Sequence, residues 1–240
     1  MSFPQSIMGK WGWEQVTTTA KKHKLGTIMQ IADTTYRYAS VGETIIAGTL
    51  VEASIVEGDE NDDLVVATTG SAGGTTVGIT FDGAVTLNEY ADGFLMSNVD
   101  ASTALGWRYR IKSHPAGTAD VTVTIDHEDG FVTEWLAGTA KAGAYKSHYS
   151  SCLISNTTAL GPAVGVTVSD IASGSYGWVQ TNGIALCLIQ GAVGVGLGIM
   201  RSNGTTGAVE VADGSLQNIG AMGRTAGVDA QYHEVLLNIA

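Results

Sequence analysis

Apolar residues in this chain alternate with polar ones over short runs, and turn residues or polar residues end each run before a helical face can build up. The clearest run is Trp107-Arg108-Tyr109-Arg110-Ile111-Lys112. Successive side chains of an extended strand point to opposite faces, so Trp107, Tyr109 and Ile111 share one face and the three cations share the other. Val121, Val123 and Ile125 against Thr122 and Thr124 repeat the pattern, with His114-Pro115-Ala116-Gly117 as the turn between the two runs. No stretch carries a sustained helical period. A chain with 32 glycines and 3 prolines among 240 residues, and no Gly-X-Y repeat, has the composition of many strands joined by tight turns. The expected fold class is mainly β, built from antiparallel β-sandwich or β-barrel units with an extended N-terminal arm.

The same pattern places strands over 27–32, 36–41, 49–56, 64–69, 75–81, 94–99, 107–112 and 121–126. After a small, polar stretch at 138–151 it places them over 163–168, 176–181, 184–189, 207–211, 219–222 and 234–239. Asp82-Gly83 and Asn182-Gly183 are the dipeptides of two-residue hairpin turns. Residues 131–136 fit a strand or a single helical turn, and 14–23 a short helix that three successive threonines weaken. The expected organisation is an arm over 1–24, a β domain over 25–150 and a C-terminal β domain over 151–240, with a soft boundary. No segment repeats another residue for residue.

Charge is sparse and unevenly placed. Asp, Glu, Lys and Arg make up 15% of the chain, and a weakly charged surface is cheaper to bury against a neighbour. Lys10, Lys21, Lys22 and Lys24 against Glu14 give the first 24 residues +3, which leaves −14 on the other 216 of a chain whose net charge is −11. A chain this acidic is a poor partner for phosphate backbones, so nucleic acid is not expected. A basic arm on an acidic body suits docking on an acidic neighbour, another copy included, or a solvated terminus. The first ten residues lack the apolar core of an export signal, and no apolar run is long enough to span a bilayer. A soluble chain made in a cytoplasm, without a membrane partner, is the expectation.

Catalytic and metal-binding patterns are missing from the sequence. His23, His114, His127, His148 and His233 form no HExxH pair, and Asp126-His127-Glu128-Asp129 fits a strand end better than a metal site. Gly174-Ser175-Tyr176-Gly177 is one residue short of a nucleophile elbow. Gly194-Val195-Gly196-Leu197-Gly198 has the wrong spacing for a dinucleotide loop and fits a strand with one bare face. Asp59, Asn61 and Asp63 begin like a calcium loop, but Leu64 and Gly70 occupy the positions where Gly and Glu are needed. Cys152 and Cys187 each sit among apolar residues, as buried reduced thiols do. No cofactor, metal or enzymatic activity is expected.

Several segments have a family character. They are Tyr90-Ala91-Asp92-Gly93-Phe94-Leu95, the run from Trp107 to Pro115, Ser175-Tyr176-Gly177-Trp178-Val179-Gln180-Thr181-Asn182-Gly183, and the ending Ile219-Gly220-Ala221-Met222-Gly223-Arg224 followed by Tyr232 to Ile239. These resemble segments of virion structural proteins of tailed bacteriophages, and the ending is similar to small capsid-decoration (cement) domains. The resemblance covers roughly 25–240. It implies a capsid-surface protein on the major capsid protein lattice, usually oligomeric and often a homotrimer, with no catalytic residues to carry over. The expected contact residues, to the capsid or between subunits, are Phe3, Ile7, Lys10, Trp11, Trp13, Lys21, Lys22 and Lys24 of the arm. A tail or head-fibre subunit shares the composition. A carbohydrate-binding module using Trp178, Tyr176, Trp107 and Tyr109 is a further alternative.

Overall fold

The computed structural model describes residues 6–55, 63–99, 104–158 and 160–239. The chain is mainly β, and the regular structure among the described residues is strands and one 3-10 turn. Strands β1 (Ser6–Met8), β2 (Ile28–Ile31), β3 (Thr34–Ser40) and β4 (Leu50–Glu52) come first. Then follow β5 (Leu64–Thr68), β6 (Thr76–Thr80), β7 (Phe94–Val99), β8 (Arg108–Ser113), β9 (Asp120–Ile125) and β10 (Lys141–Tyr145). The chain ends with β11 (Leu153–Ile154), β12 (Ala163–Thr167), β13 (Tyr176–Leu188), β14 (Gly198–Arg201), β15 (Val209–Val211), β16 (Asn218–Met222) and β17 (Tyr232–Asn238).

Two compact units result, one from the described parts of Met1–Ile55 and His148–Ala240, the other from those of Val56–Ser147. The composition groups 25–55 with the segment that follows it. In the structure β2 and β3 extend from β13, and β4 pairs with β11 and β12, so this stretch folds with strands more than a hundred residues downstream. Strand pairing is decided by long-range register, which local composition does not carry.

The inserted unit is a closed barrel in the order β10-β5-β6-β9-β8-β7, antiparallel throughout. Closure leaves no open sheet edge. The alternation read from the sequence holds within β8 and β9: Tyr109 and Ile111 of β8 and Val121, Val123 and Ile125 of β9 turn inward, joining Val66, Val77, Ile79, Leu95 and Trp135, whereas Trp107, just before β8, is exposed. Each large apolar side chain so buried contributes about 1.5–3 kcal/mol. Buried His114 joins two loops. Its Nε2 accepts the Tyr90 N–H at 3.0 Å, so its Nδ1 carries the proton donated to the Pro115 carbonyl at 2.8 Å.

The first unit is one branched sheet, β1-β2-β3-β13-β17-β16-β14-β15, with β12, β4 and β11 leaving from β13. Its organiser is β13, 13 residues long, which pairs with β3 along its first half and β17 along its second. One apolar cluster (Val41, Ile45, Val51, Cys152, Ile171, Val179) lies beside the first half. Another (Cys187, Ile189, Val193, Ile199, Ile219, Val235, Leu237) lies beside the second.

Both halves use the same local device. Ile45 and Ile171 exchange backbone hydrogen bonds at 2.9 and 2.8 Å, and Val193 and Gly227 do so at 3.3 and 2.8 Å. Three residues after each comes a left-handed residue, Gly48, Gly174, Gly196 or Ala230, and five residues after each stands the first residue of β4, β13, β14 or β17. Trp135, followed by left-handed Gly138, plays the same part in the barrel. A bridged backbone position, with an apolar side chain in the core at all but Gly227, and a φ > 0 residue together turn the chain back into a strand. Because only the anchor and the turn recur, the device is invisible to residue-by-residue comparison.

Four local expectations are corrected. Asn182-Gly183 does not turn the chain. A bulge between Gln180 and Asn182 and a left-handed Gly183 let β13 run on as one strand. Asp82-Gly83 does not form a hairpin, because β6 takes β5 and β9 as partners and Val85 bridges Gly117. Residues 131–136 are neither strand nor helix; Phe131 and Trp135 make isolated bridges. The helix over 14–23 is absent, reduced to a 3-10 turn at Trp13–Gln15.

Candidate docking surface

The N-terminal segment is held to the first unit at two places. Strand β1 adds in parallel to β2, with Ile7 opposite Met29, and the Gly9 N–H donates to Gln30 O at 2.9 Å. A side chain at Gly9 would run into Met29 and Ile31, so this residue lets the backbone lie close. Nine residues beyond Gly9, Thr18 and Tyr176 exchange backbone bonds at 2.9 and 2.8 Å, and the Lys22 N–H donates to the Tyr38 hydroxyl at 3.0 Å. Ile7 and the rings of Tyr38, Tyr176, Trp178 and His23 cement the attachment, with His23 edge-on to Tyr38 at 5.1 Å. Burial pushes the His23 imidazole below its ordinary value.

Between these fastenings the chain makes a tight turn. Left-handed Gly12 donates its N–H to Glu14 Oε2 at 2.8 Å, and Trp13 N–H donates to Lys10 O at 3.0 Å. Part of the turn's backbone is thus satisfied within the segment, and several of its side chains and neighbours are exposed. Trp11 is 72% exposed, Met8 73%, Val16 52% and Trp13 45%. Large apolar side chains so bare and so closely spaced form an exposed apolar patch.

Of the residues expected to make contacts, Lys10, Trp11, Trp13, Lys21 and Lys22 are exposed, and Lys24 is half-buried, its carbonyl accepting the Thr27 hydroxyl. Ile7 faces the core and serves as an anchor. Phe3 lies outside the described residues.

The turn borders a groove of about 610 Å³ lined by Gln15, Ile46, Thr167, Asp170, Leu186 and Tyr232. Ile46 (53% exposed) and Leu186 (59%) are its apolar floor, and the Asp170 carboxylate at its edge accepts the Ala47 N–H at 2.8 Å. Ile184 and Leu236, cross-strand partners on β13 and β17, continue the apolar surface. Sequence reasoning passed over these residues. A signal was present: 184–189 is an unbroken apolar run, as in strands covered on both faces. Within this fold Ala185 and Cys187 face the core, while Ile184 and Leu186 face outward.

Other candidate groups serve structure. Among the described residues, no three His, Cys, Asp or Glu side chains gather as metal ligands. Burial pushes both thiols up to about 12, which keeps them protonated and poorly nucleophilic. Trp178 and Tyr109 are buried, so the four aromatics do not share an exposed platform. Arg108 and Arg110 stack over Phe94 at 4.7 and 5.8 Å. Of the acidic loop only Asp63 lies within the described residues; it accepts an Asn98 hydrogen bond at 3.2 Å. No helix among the described residues is long and apolar enough to cross a membrane. Comparison with protein-family models, with curated proteins and with solved structures finds no match for this chain.

Proposed function

We propose that this protein is a structural component of a tailed-phage virion that binds the outer capsid surface and stabilises the shell by bridging capsid subunits. The observation that carries the proposal is the N-terminal turn: two exposed tryptophans, flanked by Met8, Val16 and lysines, on a segment fastened at both ends to a β scaffold. Preorganised apolar knobs lose little conformational freedom on docking, and aromatic anchors concentrate binding energy. The sequence segments that resemble virion structural proteins support the same reading, as does the low charge content. A modest contact repeated around a capsid lattice gains strength from multivalency.

The test is cryo-electron microscopy of the particle encoded with this chain. Density for the chain on the outer capsid lattice, with the Trp11–Trp13 turn against a capsid subunit, is the expected result. Density confined to the tail would replace capsid stabilisation with a tail role, and absence from the particle would overturn the proposal.

A further inference from the structure

We propose that the Ile46–Leu186–Tyr232 groove receives the Lys10–Val16 turn of a second copy, and that two copies exchange their turns reciprocally. Three observations converge on that occupant. The groove has an apolar floor, with the Asp170 carboxylate at its edge. The turn offers complementary parts, Trp11 and Trp13 for the floor and Lys10 for the carboxylate. Knob and groove also adjoin, because Gln15 of the turn lines the groove.

Charge favours the same chain as partner. The first 24 residues carry +3 and the rest of the groove-bearing unit, 25–55 with 148–240, carries −5, so that unit of another copy complements the basic segment. Adjacency explains why the exchange is reciprocal. When a knob and its receptor lie side by side on one surface, a two-fold axis between them seats both knobs at once, so one encounter buries the contact twice. Ile184 and Leu236, exposed beside the groove, add apolar area at the same surface. An intramolecular fit is excluded by the attachment itself, since both ends of the turn are paired to the sheet while its tryptophans stay exposed.

The exchange describes the free protein. A turn seated in a partner's groove must be released before it can meet a capsid subunit, so second copy and capsid compete for it. The test is made without capsid, so that its failure is distinguishable from failure of the capsid role. The experiment is sedimentation velocity on the full chain, the double variant Trp11→Ala/Trp13→Ala, and Leu186→Glu. The altered side chains are exposed, so the fold survives, with circular dichroism as the check. Wild type is expected to associate, and each variant to weaken association by roughly tenfold or more. Raised salt weakens it too, because Lys10 and Asp170 contribute. The decisive arm mixes the two variants. The knob-less chain retains a groove and the groove-less chain retains a turn, so the mixture forms a complex that neither forms alone. A monomeric wild type, an oligomer unchanged in both variants, or a mixture that fails to associate would each overturn the proposal. A monomer whose Leu186→Glu variant loses capsid binding would assign the groove to the capsid instead.

Discussion

Arg201 and Glu52 form an ion pair that is almost wholly buried, 2% and 1% exposed. Arg201 is held further by the Ser155 hydroxyl, 2.7 Å from Nη2 and 3.2 Å from Nε, and by the Gly161 carbonyl at 3.0 Å from Nη1. Removing one partner strands a charge, so Arg201→Ala is expected to cost about 3–5 kcal/mol in urea unfolding, whereas replacing both residues with apolar ones recovers much of the loss. Cys152 and Cys187, completely buried with thiols pushed up to about 12, should resist a disulfide reagent in the native protein and react only on unfolding. Glu89 gives a pH signature. Burial acts to raise its carboxyl, but the Thr86 N–H at 2.7 Å, the Lys146 ammonium at 2.9 Å and the Thr86 hydroxyl at 3.0 Å outweigh it and hold the group below its ordinary 4.5. A depressed carboxyl contributes stability that is present above its unfolded value and lost as pH falls through the folded one. Glu89→Gln should therefore flatten the acid limb of the unfolding profile below about pH 4.5.

At the scale of elements, close backbone approach decides which strands can meet. A Cβ at Gly93 would overlap the Tyr145 carbonyl where β7 meets β10, the contact that helps close the barrel. Gly93→Ala is expected to destabilise that unit by about 1–3 kcal/mol or more, measured by thermal unfolding. The strands with clean alternation, β8 and β9, were legible because one face is buried and the other solvated. Others were not. Strand β10, Lys-Ala-Gly-Ala-Tyr, is small and nearly featureless, and its place follows from β5 and β7 flanking it. Strand β1 owes its pairing to the apolar side chains of Ile7 and Met29 and to the bare Gly9, none of which forms a period. Asn-Gly predicts a hairpin from turn chemistry alone. Here the pairings of β13 with β3 and β17 outweigh that preference and keep the chain extended.

For the whole molecule, the barrel core draws only on residues 64–144, and the other clusters draw only on residues outside the insertion. A fragment spanning 56–147 is therefore expected to fold alone and unfold cooperatively, and loss of its strand signal in circular dichroism would contradict this. In the full chain, Glu89→Gln and Gly93→Ala should move one calorimetric transition and Arg201→Ala another.

Period-2 alternation and frequent glycine determined from the sequence alone that the chain is mainly β, because strands with one buried face leave that imprint on neighbouring residues. The basic, aromatic character of the N-terminal segment was also written locally, and most of the expected contact residues are exposed side chains. Tertiary structure decided the rest. It paired 34–40 and 50–52 with strands beyond 150, carried β13 through a predicted turn, and laid Gln15, Ile46, Leu186 and Tyr232 around one groove. Those four residues are separated by up to 217 positions. Their meeting depends on sheet register, which is set by pairing energies summed over the whole fold and leaves no mark on any short stretch of chain.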